Sequence, residues 1–124
     1  MDFYNAKKIN DSLIMIKSLT GEILYLVEGK DRAVLIDTCL GVGHLKNLVE
    51  KLTDKPITVL LTHGHVDHAM GAPEFSEVYL NPKDIPLYQR QCPLEERKGY
   101  LAAGLGDTYT QIVGESYVCP DKDY

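Results

Sequence analysis

The stretch "LLTHGHVDHAMG", residues 60–71, gathers three of the chain's four histidines and one aspartate between positions 63 and 68. If "ITVLL" delivers an extended backbone to this point, His63 and His65 stand two residues apart on one face. Both imidazoles then reach a single cation. Gly64 between them removes an obstructing side chain and permits unusual torsions. Asp67 and His68 are adjacent, so their side chains diverge and serve a neighbouring position. The spacing points to two metals, one on His63 and His65 and the other on Asp67 and His68. Two cations about 3.5–4 Å apart hold and deprotonate a bridging water, which gives hydroxide at neutral pH. Imidazole and carboxylate suit Zn²⁺, and iron or manganese accept similar ligands. Asp67 is also placed to orient the attacking hydroxide, and a hydrolase follows from such a site.

The elements that must carry these residues are written on either side of them. "SLIMIKS" (12–18), "EILYLVEG" (22–29) and "RAVLID" (32–37) are apolar, β-branched runs separated by the turn signals "TG" and "GKD". They predict an antiparallel meander. "RAVLID" is nearly continuous in its apolar character, as expected of a strand covered on both faces. Leu45, Leu48, Val49 and Leu52 then recur at helical spacing, with Lys46, Asn47, Glu50 and Lys51 opposite. Pro56 closes that helix, and "ITVLLT" (57–62) is a further buried strand. Strand, helix, strand implies a crossover with parallel pairing. "EVYLN" (77–81) is another short strand after a loop or helical segment around "AMGAPEF". Helical signals return in "PKDIPLYQRQ" and in "LEERKGYLAAGL" (94–105), and the tail from Gly106 has no strong period. The reading is one mixed α/β (α+β) unit without repeats or linkers.

"THGHVDHAMG" resembles the H-x-H-x-D-H signature of the metallo-β-lactamase superfamily. "VLIDT", which ends a strand before the first helix, is similar to that family's upstream aspartate motif. The resemblance covers roughly residues 10 to 90. It implies half of an αββα sandwich, a mixed sheet with helices on one face, and a metal set of His63, His65, Asp67 and His68. Two Zn²⁺ per complete site are implied, with iron or manganese as other occupants. Asp37 is expected to brace the ligand loop by hydrogen bonds, or else only to cap a strand end. A histidine directly after the aspartate is similar to the glyoxalase II, lactonase and nuclease branches. A small ester, thioester or lactone is therefore the implied substrate class, with Asp67 as the catalytic carboxylate.

The family's second half supplies a further histidine, a bridging aspartate and a last histidine. Here no histidine follows His68, although Asp107, Asp121 and Asp123 are present. The expectation is a single N-terminal half-domain over residues 1–124, with the alternative that it is a catalytically incomplete, self-associating unit. A lone half exposes one sheet face, so a homodimer through that face is expected. Cys119 is read as a packing residue, as lone cysteines usually are, that could stand in as a late ligand. His44 is read as a surface or cap-region residue. Thr62 and Gly71 are read as loop-shaping, and Tyr88, Tyr100, Tyr109 and Tyr117 as core and rim packing.

The remaining composition narrows the partners. With 124 residues, 44% hydrophobic and 25% charged, the chain fits one soluble domain. A net charge of -5 and the lack of a Lys/Arg stripe argue against nucleic acid. The polar beginning lacks the apolar stretch of a signal peptide, and no apolar run approaches the ~18 residues of a spanning helix. Cys39, Cys92 and Cys119 form an odd, scattered set, as expected of reduced thiols in a cytoplasmic protein.

Overall fold

The computed structural model describes residues 3–106. The tail, with Tyr109, Tyr117, Cys119 and the three late aspartates, lies outside the described residues. A six-stranded sheet in sequential order is built from β1 (Tyr4–Asn10), β2 (Leu13–Ser18), β3 (Ile23–Glu28), β4 (Ala33–Ile36), β5 (Ile57–Leu60) and β6 (Val78–Tyr79). The pairs from β1 to β4 are antiparallel, and β4–β5 and β5–β6 are parallel. The meander and the crossover expected from the sequence are both present. β1 was not expected. Among the described residues it is a sheet edge pairing only with β2, and beyond the buried Tyr4 its side chains, Lys7 and Lys8 among them, are mostly exposed. Lysines on an edge discourage pairing with other chains, and they also hide the apolar alternation by which a strand is recognised.

The helices are α1 (Leu45–Leu52), α2 (Val66–Ala69), α3 (Ile85–Gln91) and α4 (Leu94–Leu105), with 3₁₀ turns at Ala72–Glu74 and Pro82–Asp84. α1 follows its sequence period: Leu45 and Val49 are fully buried, each worth about 1.5–3 kcal/mol against exposure. It ends at Leu52 and passes through Thr53 in extended conformation, so Pro56 starts the next strand rather than stopping the helix. His44 precedes α1 with φ of 54° and makes no side-chain cap. Its Nδ1 stands 3.8 Å from Glu74 Oε2, and the Glu74 carboxylate lies near the backbone N–H groups of Leu45 and Lys46. A residue from the segment after the histidine motif therefore faces the positive end of α1.

Register divides the sheet into two unlike faces. Ile14, Leu26, Leu35, Val59 and Val78 form one cross-strand row, and Ile16 pairs with Leu24 beside it. This face meets the helices and makes the core together with Leu40, Val42, Met70, Tyr88 and Leu101. The opposite row runs Met15, Tyr25, Ile36, Leu60, Tyr79 across five strands. Tyr25, Leu60 and Tyr79 are 38%, 43% and 57% exposed. β4 was expected to be covered on both faces. Instead it alternates between buried Ala33 and Leu35 and half-buried Val34 and Ile36, because among the described residues helices pack on only one side of it.

Candidate metal centre

β4 and β5 run parallel with Ile36 opposite Leu60, so their carboxyl ends leave the sheet side by side. Such an edge is where sheets of this kind present ligand sites. Asp37 follows β4 and Thr62 follows β5 by two residues. The Asp37 N–H donates to Leu60 O at 3.0 Å, and the Thr62 N–H donates to Asp37 Oδ1 at 2.8 Å. Asp37 and Cys39 hold φ of 68° and 59°, a left-handed conformation that costs a non-glycine residue roughly 1–2 kcal/mol. Strained backbone of this kind concentrates at functional sites. Here it turns Thr38 beneath the motif. The Thr38 N–H donates to His68 O at 2.7 Å, its hydroxyl donates to the same oxygen at 3.0 Å, and Gly71 N donates to Thr38 Oγ1 at 3.1 Å.

From the other side α3 holds the loop. Gly64 N donates to Asp84 Oδ2 at 3.2 Å and Val66 N to Gln91 Oε1 at 2.6 Å. A Cβ on Gly64 would lie 2.8 Å from Asp84 O and 3.0 Å from Tyr88 N. Gly64 has no positive φ, so the glycine is required by this close approach and not by unusual torsions. Gly71 is similar, since a Cβ there would lie 2.4 Å from Thr38 O.

Proton accounting fixes how the histidines are presented. The Asp37 side chain is 7% exposed, and its carboxylate accepts from the Thr62 hydroxyl at 2.8 Å on Oδ2 and 3.0 Å on Oδ1. A hydroxyl has one proton to give. Thr62 Oγ1 must therefore accept from His63 Nδ1, 2.8 Å away, which puts the His63 proton on Nδ1 and leaves Nε2 as a free lone pair. His68 Nδ1 stands 2.9 Å from Asp37 Oδ2 and donates to it, so His68 also presents Nε2. One carboxylate thus sets both tautomers, the arrangement that ligating histidines use to raise ligand basicity. Asp37 thus hydrogen-bonds the loop that carries the histidines, and Thr62 links it to His63.

His63, Asp67 and His68 each offer a ligand atom, all within 4.8 Å of one another. His68 Nε2 lies 3.3 Å from Asp67 Oδ2. Two ligands about 2.0–2.1 Å from one tetrahedral ion stand at about that separation, so the residues present fit a divalent cation. The proximity differs from the pairing inferred from spacing. His63 groups with Asp67 and His68, its ring 4.2 Å from that of His68. His65 is exposed, with its ring edge 4.8 Å from His63 and outside the close group. His44 is engaged at Glu74, away from this group.

Tyr100 of α4 has its pKa pushed upward by partial burial, then by the charges of Asp67 and Glu22. Below the site, Cys39 is fully buried with its thiol 3.6 Å from Glu22 Oε1. Burial first, then the Glu22 charge, pushes the thiol pKa far up, so it is an inert packing residue.

The chain belongs to the metallo-beta-lactamase superfamily, whose family model matches residues 24–104. Its fold is similar to that of a metallo beta lactamase from Erythrobacter litoralis, with a TM-score of 0.58 and 17% identity over 73% of this chain and 46% of that one. At this identity the likeness is one of fold. Uncharacterized proteins of Mycobacterium bovis and Mycobacterium tuberculosis are each 38% identical over 58 residues, covering 42% of this chain and 26% of theirs. The match thus spans about a quarter of these curated relatives. Among the described residues no helix is long and apolar enough to cross a membrane.

Proposed function

We propose that this chain carries the metal-binding half of a hydrolase acting on a small ester, thioester or lactone. One observation carries the reading: Asp37 fixes the tautomers of His63 and His68 so that both Nε2 atoms are lone pairs, one of them 3.3 Å from Asp67. A divalent cation bound there, zinc foremost and iron or manganese as other occupants, supplies Lewis acidity toward water and a substrate carbonyl. His63 and His68 hold their positions through Asp37 and Thr62. Asp67 serves as ligand and as the acceptor that orients an attacking water. His65, exposed beside His63, is available to a second ion. Esters, thioesters and lactones should be hydrolysed in a divalent-metal-dependent manner, with activity abolished by chelator and by His63→Ala. Turnover that survives both treatments would sink the proposal.

A second reading is favoured by the open row Met15, Tyr25, Ile36, Leu60 and Tyr79. An apolar strip across five strands seeks cover, and two copies pairing face to face about a twofold axis would give a self-associating unit. Sedimentation should then show a dimer that Leu60→Glu with Tyr79→Glu dissociates. A wild-type monomer at high concentration would rule this out.

A further inference from the structure

We propose that Asp84 and Gln91 are positioning residues for His65: they pin the backbone on either side of it and so aim its ring at a second divalent ion, beside the one that His63, Asp67 and His68 share. This rests on the metal-site reading above and adds to it two residues from outside the motif. The three histidines are restrained in different ways. The rings of His63 and His68 are held at Nδ1 by Thr62 and Asp37. The His65 ring stands edge-on to that of His63, with centroids 4.8 Å apart, and among the described residues it has no hydrogen bond. Its direction is therefore set by its backbone.

Two hydrogen bonds fix that backbone. The Gly64 N–H donates to Asp84 Oδ2 at 3.2 Å and the Val66 N–H to Gln91 Oε1 at 2.6 Å, one residue before His65 and one after it. Between these pins His65 is extended, with φ of −65° and ψ of 152°, and those angles direct its Cα–Cβ bond. Both acceptors come from one face of one helix. Asp84 precedes α3 in helical conformation, so Asp84, Tyr88 and Gln91 fall at i, i+4 and i+7. Tyr88 is buried in the core between them, and a Cβ on Gly64 would lie 3.3 Å from its Cβ. The loop therefore rests directly on an anchored helix. Val66 opens α2, and His65 precedes it without a side-chain cap. The Val66 N–H is one of the donors that a helix start leaves without an internal partner. Gln91 satisfies it from outside, which leaves the His65 ring free for a ligand.

Co²⁺ is the probe, titrated into the full chain against a competing chelator while the visible d–d bands are recorded. The wild type should take two ions, and His65→Ala should lose the weaker one. Outer partners of ligands typically change metal affinity about 10–100-fold when removed. Gln91→Met keeps the length of the side chain without its accepting oxygen. It should weaken the second ion at least about tenfold and leave the affinity and bands of the first unchanged. Asp84→Ala, at the other pin, should show the same selective loss, so the test does not hang on one variant. Gln91→Glu keeps an accepting oxygen and should bind as the wild type does. In a His65→Ala background Gln91→Met should have no further effect, because Gln91 acts through His65. A merely structural role would weaken both ions together or neither, and either result overturns the proposal. A wild type whose Co²⁺ binding is indifferent to His65→Ala would also overturn it while leaving the first site intact. No Co²⁺ binding by the wild type would instead refute the metal-site reading, and this proposal with it.

Discussion

Asp37→Asn tests the tautomer argument at its root, because it changes chemistry with little change in shape. Asparagine tolerates the left-handed φ of 68° at this position, so the backbone is not the variable, as it would be with alanine. The amide oxygen can still accept the Thr62 N–H now bound at 2.8 Å. The amide nitrogen, however, takes the place of Oδ2, which lies 2.9 Å from His68 Nδ1. Two donors then face each other. The conflict is relieved if His68 moves its proton to Nε2, where it occupies the lone pair a metal needs. The hydrogen bonds lost are charge-assisted ones in a nearly buried site, so the metal-free fold should weaken by about 1–3 kcal/mol. Metal affinity should fall 10–100-fold, about 1.4–2.7 kcal/mol. Chelator-competition titration of Zn²⁺ gives the second quantity and chemical denaturation without metal gives the first. An Asp37→Asn protein that loses stability but binds Zn²⁺ as tightly as wild type would refute the reasoning, since Asp37 would then brace the loop and nothing more.

Thr62→Val should weaken Zn²⁺ binding roughly tenfold, and Thr62→Ser should restore it, because the hydroxyl bridging Asp37 and His63 is what matters. Gly71→Ala should destabilise by about 1–3 kcal/mol in chemical denaturation, since its Cβ would lie 2.4 Å from Thr38 O. Burial raises the Glu74 pKa, with His44 opposing. The folded state thus holds that proton more tightly than the unfolded chain, and stability present below the unfolded pKa is lost as pH rises through the folded one. Glu74→Gln should therefore gain in melting temperature relative to wild type as pH rises above the ordinary glutamate value of about 4.3; a constant difference would contradict the assignment.

What the sequence disclosed and what it concealed follow from how local each signal is. α1 was legible because Leu45 and Val49 repeat at the period of the helix that buries them. The strands β2 to β5 were legible from their apolar runs. β1 was not, because an edge strand with exposed lysines carries little alternation. The four motif residues stand out in the sequence because imidazole and carboxylate at such spacing serve few other purposes. Their grouping was not, since the backbone enters α2 at Val66 and turns Asp67 and His68 back toward His63 and away from His65. The hydroxyl relay through Thr62 depends on a carboxylate 25 positions upstream, brought there by parallel pairing.

Equilibrium dialysis against Zn²⁺ followed by elemental analysis, on wild type, His63→Ala and His68→Ala, tests the metal centre most directly. Bound zinc in the wild type that is lost in both variants is the result these side chains predict. Zinc-free wild type, or variants that bind as the wild type does, would mean that His63, Asp67 and His68 hold no ion on this chain.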